Sequence, residues 1–173
     1  MSGIWVISET PKIAWEMLAK ARELAGNEVV TAFVVGDYET GMDAISFGAD
    51  QVLLLEMPAN IPWEECRDVI LKAGETNKPS LIMVAATRRG KDLAAQLAAL
   101  LDAPCVSECK SIIKDGENFL TERIVYGGLA VKKMVSNGCL VATIPPGTYH
   151  PEKIEGRSGD VKQLKPQGFK MVV

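Results

Sequence analysis

The stretch SLIMVAATRRGKDLAAQLAALLD, residues Ser80 to Asp102, decides the fold. It begins with an apolar run, Leu81 to Ala86, crosses the polar turn Thr87 to Asp92, and continues as an Ala- and Leu-rich helix. A short apolar run of this kind predicts a strand that is buried on both faces. In an open α/β sheet, ligands bind where such a strand ends and the next helix begins. The turn is therefore the first place to expect a site.

The residues before this stretch repeat the same strand–helix pattern. The four predicted strands are Ile4 to Ile7, Val29 to Val35, Gln51 to Glu56 and Leu81 to Ala86. A helical apolar pattern follows each of them, and the last helix is expected from about Lys91 to Leu101. Short strands joined by helices imply a parallel sheet with right-handed crossovers, so the predicted fold class is α/β.

The pattern changes after Pro104, where turn residues replace the helices. The predicted strands here are Cys105 to Ile113, Phe119 to Tyr126, Leu129 to Val135 and Cys139 to Ile144. Asp-Gly and Asn-Gly pairs between such runs favour hairpins, so we expect an antiparallel meander in the C-terminal third, added to the parallel sheet. Residues 1–149 are expected to form the domain. Residues 150–173 have low apolar density and are interpreted as a linker or arm.

Composition excludes several classes of protein. The 173 residues are 47% hydrophobic with a net charge of -3, which is typical of a globular domain and argues against nucleic-acid binding. No apolar run approaches the roughly 20 residues that span a bilayer. Four cysteines and the single His150 lack the spacing of a metal site or a catalytic triad, so neither metal ligands nor catalytic residues are expected. Reduced thiols and the lack of a visible secretory signal indicate a cytoplasmic location.

The first candidate site is the turn that follows the fourth strand. It consists of Thr87, Arg88, Arg89, Gly90 and Lys91. Backbone N–H groups at a helix start favour anions, and three cations lie within four residues, so the turn could contact a phosphate or the acidic groups of a partner. The alternative is a solvated turn whose charge is partly neutralised by the acidic residue that follows it.

The second candidate site lies on the second strand of the meander. It consists of Arg123, Tyr126, Gly127 and Gly128. An arginine within an apolar strand needs acceptors for its planar donors, and paired glycines allow a backbone or a ligand to approach closely. The alternative is an arginine on an edge strand that is paired with a glutamate, either Glu108 or Glu122.

Four segments, taken in order, resemble the N-terminal domain of the electron transfer flavoprotein alpha subunit. They are LIMVAATRRGKDLAAQLAALLD, APCVSE, TERIVYGGLA and TIPPGTY, at residues 81–102, 103–108, 121–130 and 143–149. Two positions depart from the family pattern, since Glu108 stands where the family has Asp and Pro145 where it has Arg. The resemblance implies a three-layer fold of the adenine nucleotide α-hydrolase-like type.

The same resemblance implies a function in electron transfer. It suggests a scaffold that assembles with an electron transfer flavoprotein beta-type subunit and contributes to a shared nucleotide or flavin site. FAD or AMP could lie at that shared interface. No cofactor is expected in this chain alone, because the Gly-Arg-Gly and Ser-Arg motifs that hold the family's flavin have no counterpart in the sequence. The chain is accordingly interpreted as an electron carrier subunit or binding scaffold more than as an enzyme.

Two other interpretations remain open at this point. One is a nucleotide-binding enzyme or sensor of the adenine nucleotide α-hydrolase-like fold. Against ATP chemistry, the turn after the first strand is Ser8-Glu9-Thr10-Pro11 where such enzymes carry a phosphate loop, and Glu9 would repel phosphate. The other is a domain that self-associates as a homodimer, through the strands after Pro104 and the arm.

Overall fold

The computed structural model describes residues 3–55, 63–73 and 78–164, apart from the side chains of residues 64 and 65. Its strands are β1 Gly3–Ser8, β2 Val29–Val34, β3 Gln51–Leu55, β4 Pro79–Ala85, β5 Cys105–Val106, β6 Cys109–Asp115, β7 Asn118–Val125, β8 Ala130–Asn137, β9 Leu140–Ile144 and β10 Asp160–Leu164. Its α-helices are α1 Pro11–Ala25, α2 Tyr38–Ser46, α3 Arg67–Ala73 and α4 Arg88–Leu100. Short 3₁₀ segments, Trp63–Cys66 and Tyr126–Gly128, complete the described elements.

The main sheet has seven parallel strands in the order β10-β3-β2-β1-β4-β9-β5. Strand β1 lies at its centre, with Val6 opposite Ala32 of β2 and Met83 of β4. Helices cover both faces: Ile4 and Val6 pack in the cluster that holds α1 and α2, while neighbouring side chains of β1 pack in the cluster that holds α3 and α4. The predicted three-layer α/β fold is confirmed.

The small sheet is antiparallel, with the order β6-β7-β8. The predicted strand Cys105 to Ile113 is two strands, because Glu108 adopts a positive φ of 54° and turns the chain from the main sheet into the small one. The antiparallel meander predicted in the C-terminal third is confirmed for β6, β7 and β8, and β7 is its central strand.

One assignment within the meander is wrong. The strand predicted at Cys139 to Ile144 belongs to the main sheet, where β9 lies parallel between β4 and β5. Every residue of β9 is buried. A strand that is apolar on both faces needs cover on both sides, which the main sheet provides and a meander with one open face does not.

The arm is tied to the main sheet. After Pro151, the backbone N–H of Ile154 donates to Ser46, and Arg157 forms an ion pair with Asp50 at 2.6 Å. Strand β10 then pairs in parallel with β3 and forms that edge of the sheet. The sequence did not predict this strand, and residues 165–173 of the arm lie outside the described residues.

Helix α4 begins earlier than the sequence predicts. Thr87 caps it, because its side-chain oxygen accepts a hydrogen bond from the backbone N–H of Gly90 at 2.9 Å. Arg88 and Arg89 therefore lie in the first turn of the helix. Among the described residues, no helix is both long and apolar enough to cross a membrane.

Candidate functional site

The carboxyl edge of the main sheet holds the first candidate site. Thr87 follows β4 and Glu9 follows β1, the two central strands, and the Thr87 hydroxyl donates a hydrogen bond to Glu9 Oε1 at 2.7 Å. The other carboxylate oxygen, Oε2, is buried and has no hydrogen-bond partner among the described residues. The turn after β1 is thus joined to the start of α4 by an acidic side chain, in the place where a phosphate-binding enzyme would need donors.

Gly90 is required at its position in α4. A Cβ atom built on Gly90 would lie 2.0 Å from the carbonyl oxygen of Ala85, which is far inside any real contact. The absence of a side chain lets the first turn of α4 sit directly over the end of β4. This close approach sets where the backbone and the cations of the turn lie.

The three cations of the turn differ in their surroundings. Lys91 forms an ion pair with Glu108, on the segment that links β5 to β6. Arg88 and Arg89 are exposed and make no hydrogen bond or ion pair with any described residue. Their positive charges lie at a helix N-terminus, where the macrodipole is also positive. The alternative of a turn neutralised by Asp92 finds no support in the described contacts, because Asp92 accepts a long hydrogen bond of 3.4 Å from Gln96.

Arg123 contacts the segment that links the two sheets. It lies on the central strand β7, so the expectation of an edge-strand arginine is wrong. Its guanidinium donates to Ser107 Oγ at 2.8 Å, while its Nε is buried with no acceptor among the described residues. Neither expected glutamate is hydrogen-bonded to it, since Glu122 pairs with Lys133 and Glu108 with Lys91.

The segment Ser107-Glu108 connects the two candidate sites, and the sequence did not single it out as a junction. Arg123 holds Ser107, Lys91 holds Glu108, and the backbone N–H of Glu108 donates to Thr143 Oγ1 at 2.8 Å. The hydrogen bond and charge of Lys91, with a smaller contribution from Arg123, lower the pKa of Glu108 below its ordinary value. From the sequence, Glu108 was a candidate partner of Arg123 and a departure from the family pattern, but it was placed within one predicted strand from Cys105 to Ile113.

The remaining predicted residues lie elsewhere, at the tip of the β7–β8 hairpin. Tyr126 is 81% exposed, and Gly127 and Gly128 adopt φ values of 64° and 105° that glycine tolerates readily. No described atom lies within 4 Å of a Cβ built on either glycine, so the pair forms a tight turn and not a close contact within this chain. No hydrogen bond or ion pair joins this tip to residues 87–91 in the described part of the chain.

The arrangement offers charge and shape more than reactive chemistry. The described residues contain no group of three His, Cys, Asp or Glu side chains that could hold a metal ion. Burial raises the pKa of the thiols of Cys105, Cys109 and Cys139, which favours their protonated form. The carboxyl edge presents a pair of exposed guanidinium groups in the first turn of α4.

These features define an α/β domain that presents a cationic helix start at the carboxyl edge of a parallel sheet. The sequence model of the electron transfer flavoprotein domain matches residues 4–167. The chain is 31% identical to the electron transfer flavoprotein subunit alpha of Clostridium acetobutylicum, over 94% of this chain and 52% of that protein. It is 32% identical to the protein FixB of Escherichia coli O127:H6, over 86% of this chain and 47% of that protein.

This chain belongs to the electron transfer flavoprotein family and is similar to its alpha subunit. A further alpha subunit, from Bacillus subtilis, is 27% identical over 90% of this chain and 50% of that protein. The chain thus spans about half the length of the curated relatives it matches. The resemblance found in four short segments extends across nearly the whole sequence.

Proposed function

We propose that this chain is the scaffold half of an electron-transfer pair and assembles with a beta-type subunit. Family membership supports an alpha-type function, because the relatives from Clostridium acetobutylicum and Bacillus subtilis are alpha subunits. The fold supports a structural task, because the first turn of α4 places two exposed arginines, which have no partner among the described residues, at the carboxyl edge of the main sheet. Electron transfer by the pair and the presence of a beta-type partner are parts of this proposal.

One observation carries the proposal furthest: Arg88 and Arg89 have no partner among the described residues, while Lys91 and Arg123 do. Two cations at a helix N-terminus repel the helix dipole and each other. An anionic group from outside the chain would relieve that repulsion with charge-assisted hydrogen bonds. We infer that Thr87 to Lys91 faces a shared FAD or AMP at a subunit interface, or acidic side chains of the beta-type subunit.

The other site residues have separate parts in this proposal. Arg123 is a positioning residue, since it holds the segment that carries the partner of Lys91. Tyr126, Gly127 and Gly128 form an exposed tip that would contact a partner and not a cofactor held by this chain. The family's flavin-holding motifs have no counterpart in the sequence, so the chain by itself is proposed to hold no flavin.

The experiment is co-expression with a beta-type subunit, followed by size-exclusion chromatography with light scattering and an absorbance spectrum. The variant Arg88→Ala/Arg89→Ala is compared with Lys72→Ala/Lys162→Ala, which removes the same charge from exposed positions of α3 and β10. We expect the arginine variant, but not the lysine variant, to weaken the assembly or its nucleotide content about tenfold or more. An assembly that both variants leave intact would contradict the assignment of the turn.

The same proteins test the alternative function. Thermal shift of the chain alone is measured with AMP, ATP and FAD. The proposal expects small shifts for the lone chain, because its turn after β1 presents Glu9 and not donors to a phosphate. A large shift with ATP together with ATP hydrolysis would replace the scaffold proposal with a nucleotide-binding enzyme.

A further inference from the structure

The small sheet exposes apolar side chains on the face where polar, water-facing side chains are expected. One face of the sheet packs on the main domain through Ile112, Phe119 and Thr121, which are all buried. The opposite face is here called the outer face. Its exposed apolar side chains are Ile113, Leu120, Ile124, Val131 and Val135. A sheet with one buried face normally alternates apolar inward and polar outward, so an apolar outer face needs an explanation.

A polar row of Asp115, Asn118 and Asn137 lies at one end of the outer face, and the register arranges the rest of the face in three rows. Ile113, Leu120 and Val135 are cross-strand neighbours in the first row. Ser111, Glu122 and Lys133 form the middle row, in which Glu122 and Lys133 form an ion pair at 2.8 Å. The third row pairs Ile124 with Val131. An acid–base pair thus lies between two apolar rows.

The hairpin tip extends the apolar surface beyond the third row. Leu129 is 90% exposed and Tyr126 is 81% exposed, and both lie next to the end of β7 or the start of β8. With Ile124 and Val131 they leave the tip end of the small sheet exposed and apolar. Exposed clusters of apolar side chains of this kind mark interaction sites.

We propose that the outer face binds the outer face of a second copy of this chain. Consider a two-fold axis in the plane of contact, parallel to the strands and midway between β7 and β8. This rotation exchanges β7 with β8, so it places each apolar row against the same row of the second copy, Leu120 against Val135 and Ile124 against Val131. It also places Glu122 of each copy against Lys133 of the other. The surface is therefore complementary to itself in both apolarity and charge.

The geometry is that of two stacked sheets. Face-to-face sheets lie about 10 Å apart, which suits side chains of the size of valine, leucine and isoleucine. The exposed lysines on the edge strand β8, Lys132 and Lys133, disfavour the other symmetric pairing, in which two β8 edges would join. The proposal is independent of the beta-type assembly, which we assign to the turn at Thr87 to Lys91.

The first test is the molar mass of the purified chain by sedimentation equilibrium. A dimer has about twice the 18.7 kDa of the chain. We expect the dimer at micromolar concentration, and we expect Ile124→Glu/Val135→Glu to dissociate at least tenfold more readily. Leu100→Glu is the control, because it places a charge on a similarly exposed apolar residue of α4. A chain that remains monomeric at every concentration would overturn the proposal.

The second test isolates the contact between copies. In Glu122→Lys, Lys133 meets a lysine both within the copy and across the axis. In Lys133→Glu, the introduced glutamate faces Glu122 both within the copy and across the axis. Each variant alone should dimerise at least tenfold more weakly, whereas an equimolar mixture should form a mixed dimer as tight as the original, because only the contacts across the axis become complementary.

The mixture decides between the occupants of this surface. If it associates no better than either variant alone, the two-fold arrangement is wrong. If the chain is monomeric and a beta-type subunit protects the outer face from hydrogen exchange, that subunit is the occupant and the proposal fails. Both side chains are partly exposed, at 40% for Glu122 and 78% for Lys133, so thermal unfolding should show each variant folded.

Discussion

The two sheets of this protein differ in how many of their faces are buried. The inner strands of the main sheet, such as β1 and β9, are buried at every position because both faces are covered, by helices over β1 and by α4 and the small sheet over β9. The small sheet buries one face and leaves the other face apolar and exposed. Within the described residues the main sheet is therefore covered on both faces, partly by the small sheet, whereas nothing covers the outer face of the small sheet. This contrast separates residues that maintain the fold from residues that are available to a partner.

The largest effect is expected where the small sheet meets the core. Phe119→Ala removes a side chain that is 1% exposed and packed on the inner face of β7. We expect it to lower the free energy of unfolding by about 3–5 kcal/mol, because it leaves a cavity that the sheet cannot close. Chemical denaturation measures the loss. Ile124→Ala, on the outer face of the same strand, is the control and should cost less than about 1 kcal/mol in the monomer. Equal losses would erase the distinction between the two faces.

The second effect is expected in the main sheet at the turn. Gly90→Ala places a Cβ against the Ala85 carbonyl oxygen and forces the start of α4 away from β4. Overpacking of this kind costs about 1–3 kcal/mol. Thermal unfolding, with Asp92→Ala on the exposed side of the same helix as control, checks it. The arginines of the turn should be displaced as well. An unchanged melting temperature would mean that the close approach does not constrain the helix.

A smaller effect is expected where the arm meets the main sheet. Arg157→Ala removes the guanidinium that donates to Asp50 Oδ1 and leaves Arg22 as the remaining cation on that carboxylate. We expect a loss of about 1–2 kcal/mol, since the pair is only partly buried. Hydrogen exchange should also show earlier opening of β10 than of β1. Lys153→Ala, which breaks an exposed ion pair in the same segment, is the control. If β10 opens no earlier in the variant, the ion pair does not hold the arm.

The smallest effect is a shift in the titration of Glu108. Lys91 lowers the pKa of this carboxyl in the folded protein, so the pair adds stability above the ordinary pKa of 4.5 and loses it as the pH falls through the lowered value. Because both side chains are well exposed, the gain is small. Lys91→Met should raise the pKa of Glu108 toward its ordinary value, as followed by NMR titration. Lys110→Met, whose contribution is weaker, should raise it less. Equal shifts in the two variants would refute the pairing.

Local pattern was enough to predict most of the main sheet. Apolar runs and helix-start residues place β1 to β4 and their helices within a few residues, because a buried strand and an amphipathic helix each leave a short periodic trace. Helix α4 was predicted to begin too late because Thr87 was interpreted as part of a turn. Its side chain in fact accepts from Gly90 and caps the helix.

Pairing was not predictable in the same way. Strand β9 has the composition of any apolar strand, and only its partners β4 and β5 reveal that it leaves the meander. The sequence of strand β10 has the composition of a polar arm, because the strand lies at the edge of the sheet, where few side chains are buried. Long-range pairing depends on which neighbours remain available after the rest of the chain has folded, and a sequence window carries no information on that.

The sequence by itself determined the α/β class, the meander, and the family to which the chain belongs, because these depend on local periodicity and on motifs in order. It also placed the cations at the end of β4. Only the tertiary structure decided which of them are paired: Lys91 meets Glu108 and Arg123 meets Ser107, whereas Arg88 and Arg89 meet no described side chain. It alone put the apolar residues of β6, β7 and β8 on one exposed face, because the face that a side chain occupies is set by strand register and by what lies beneath the sheet.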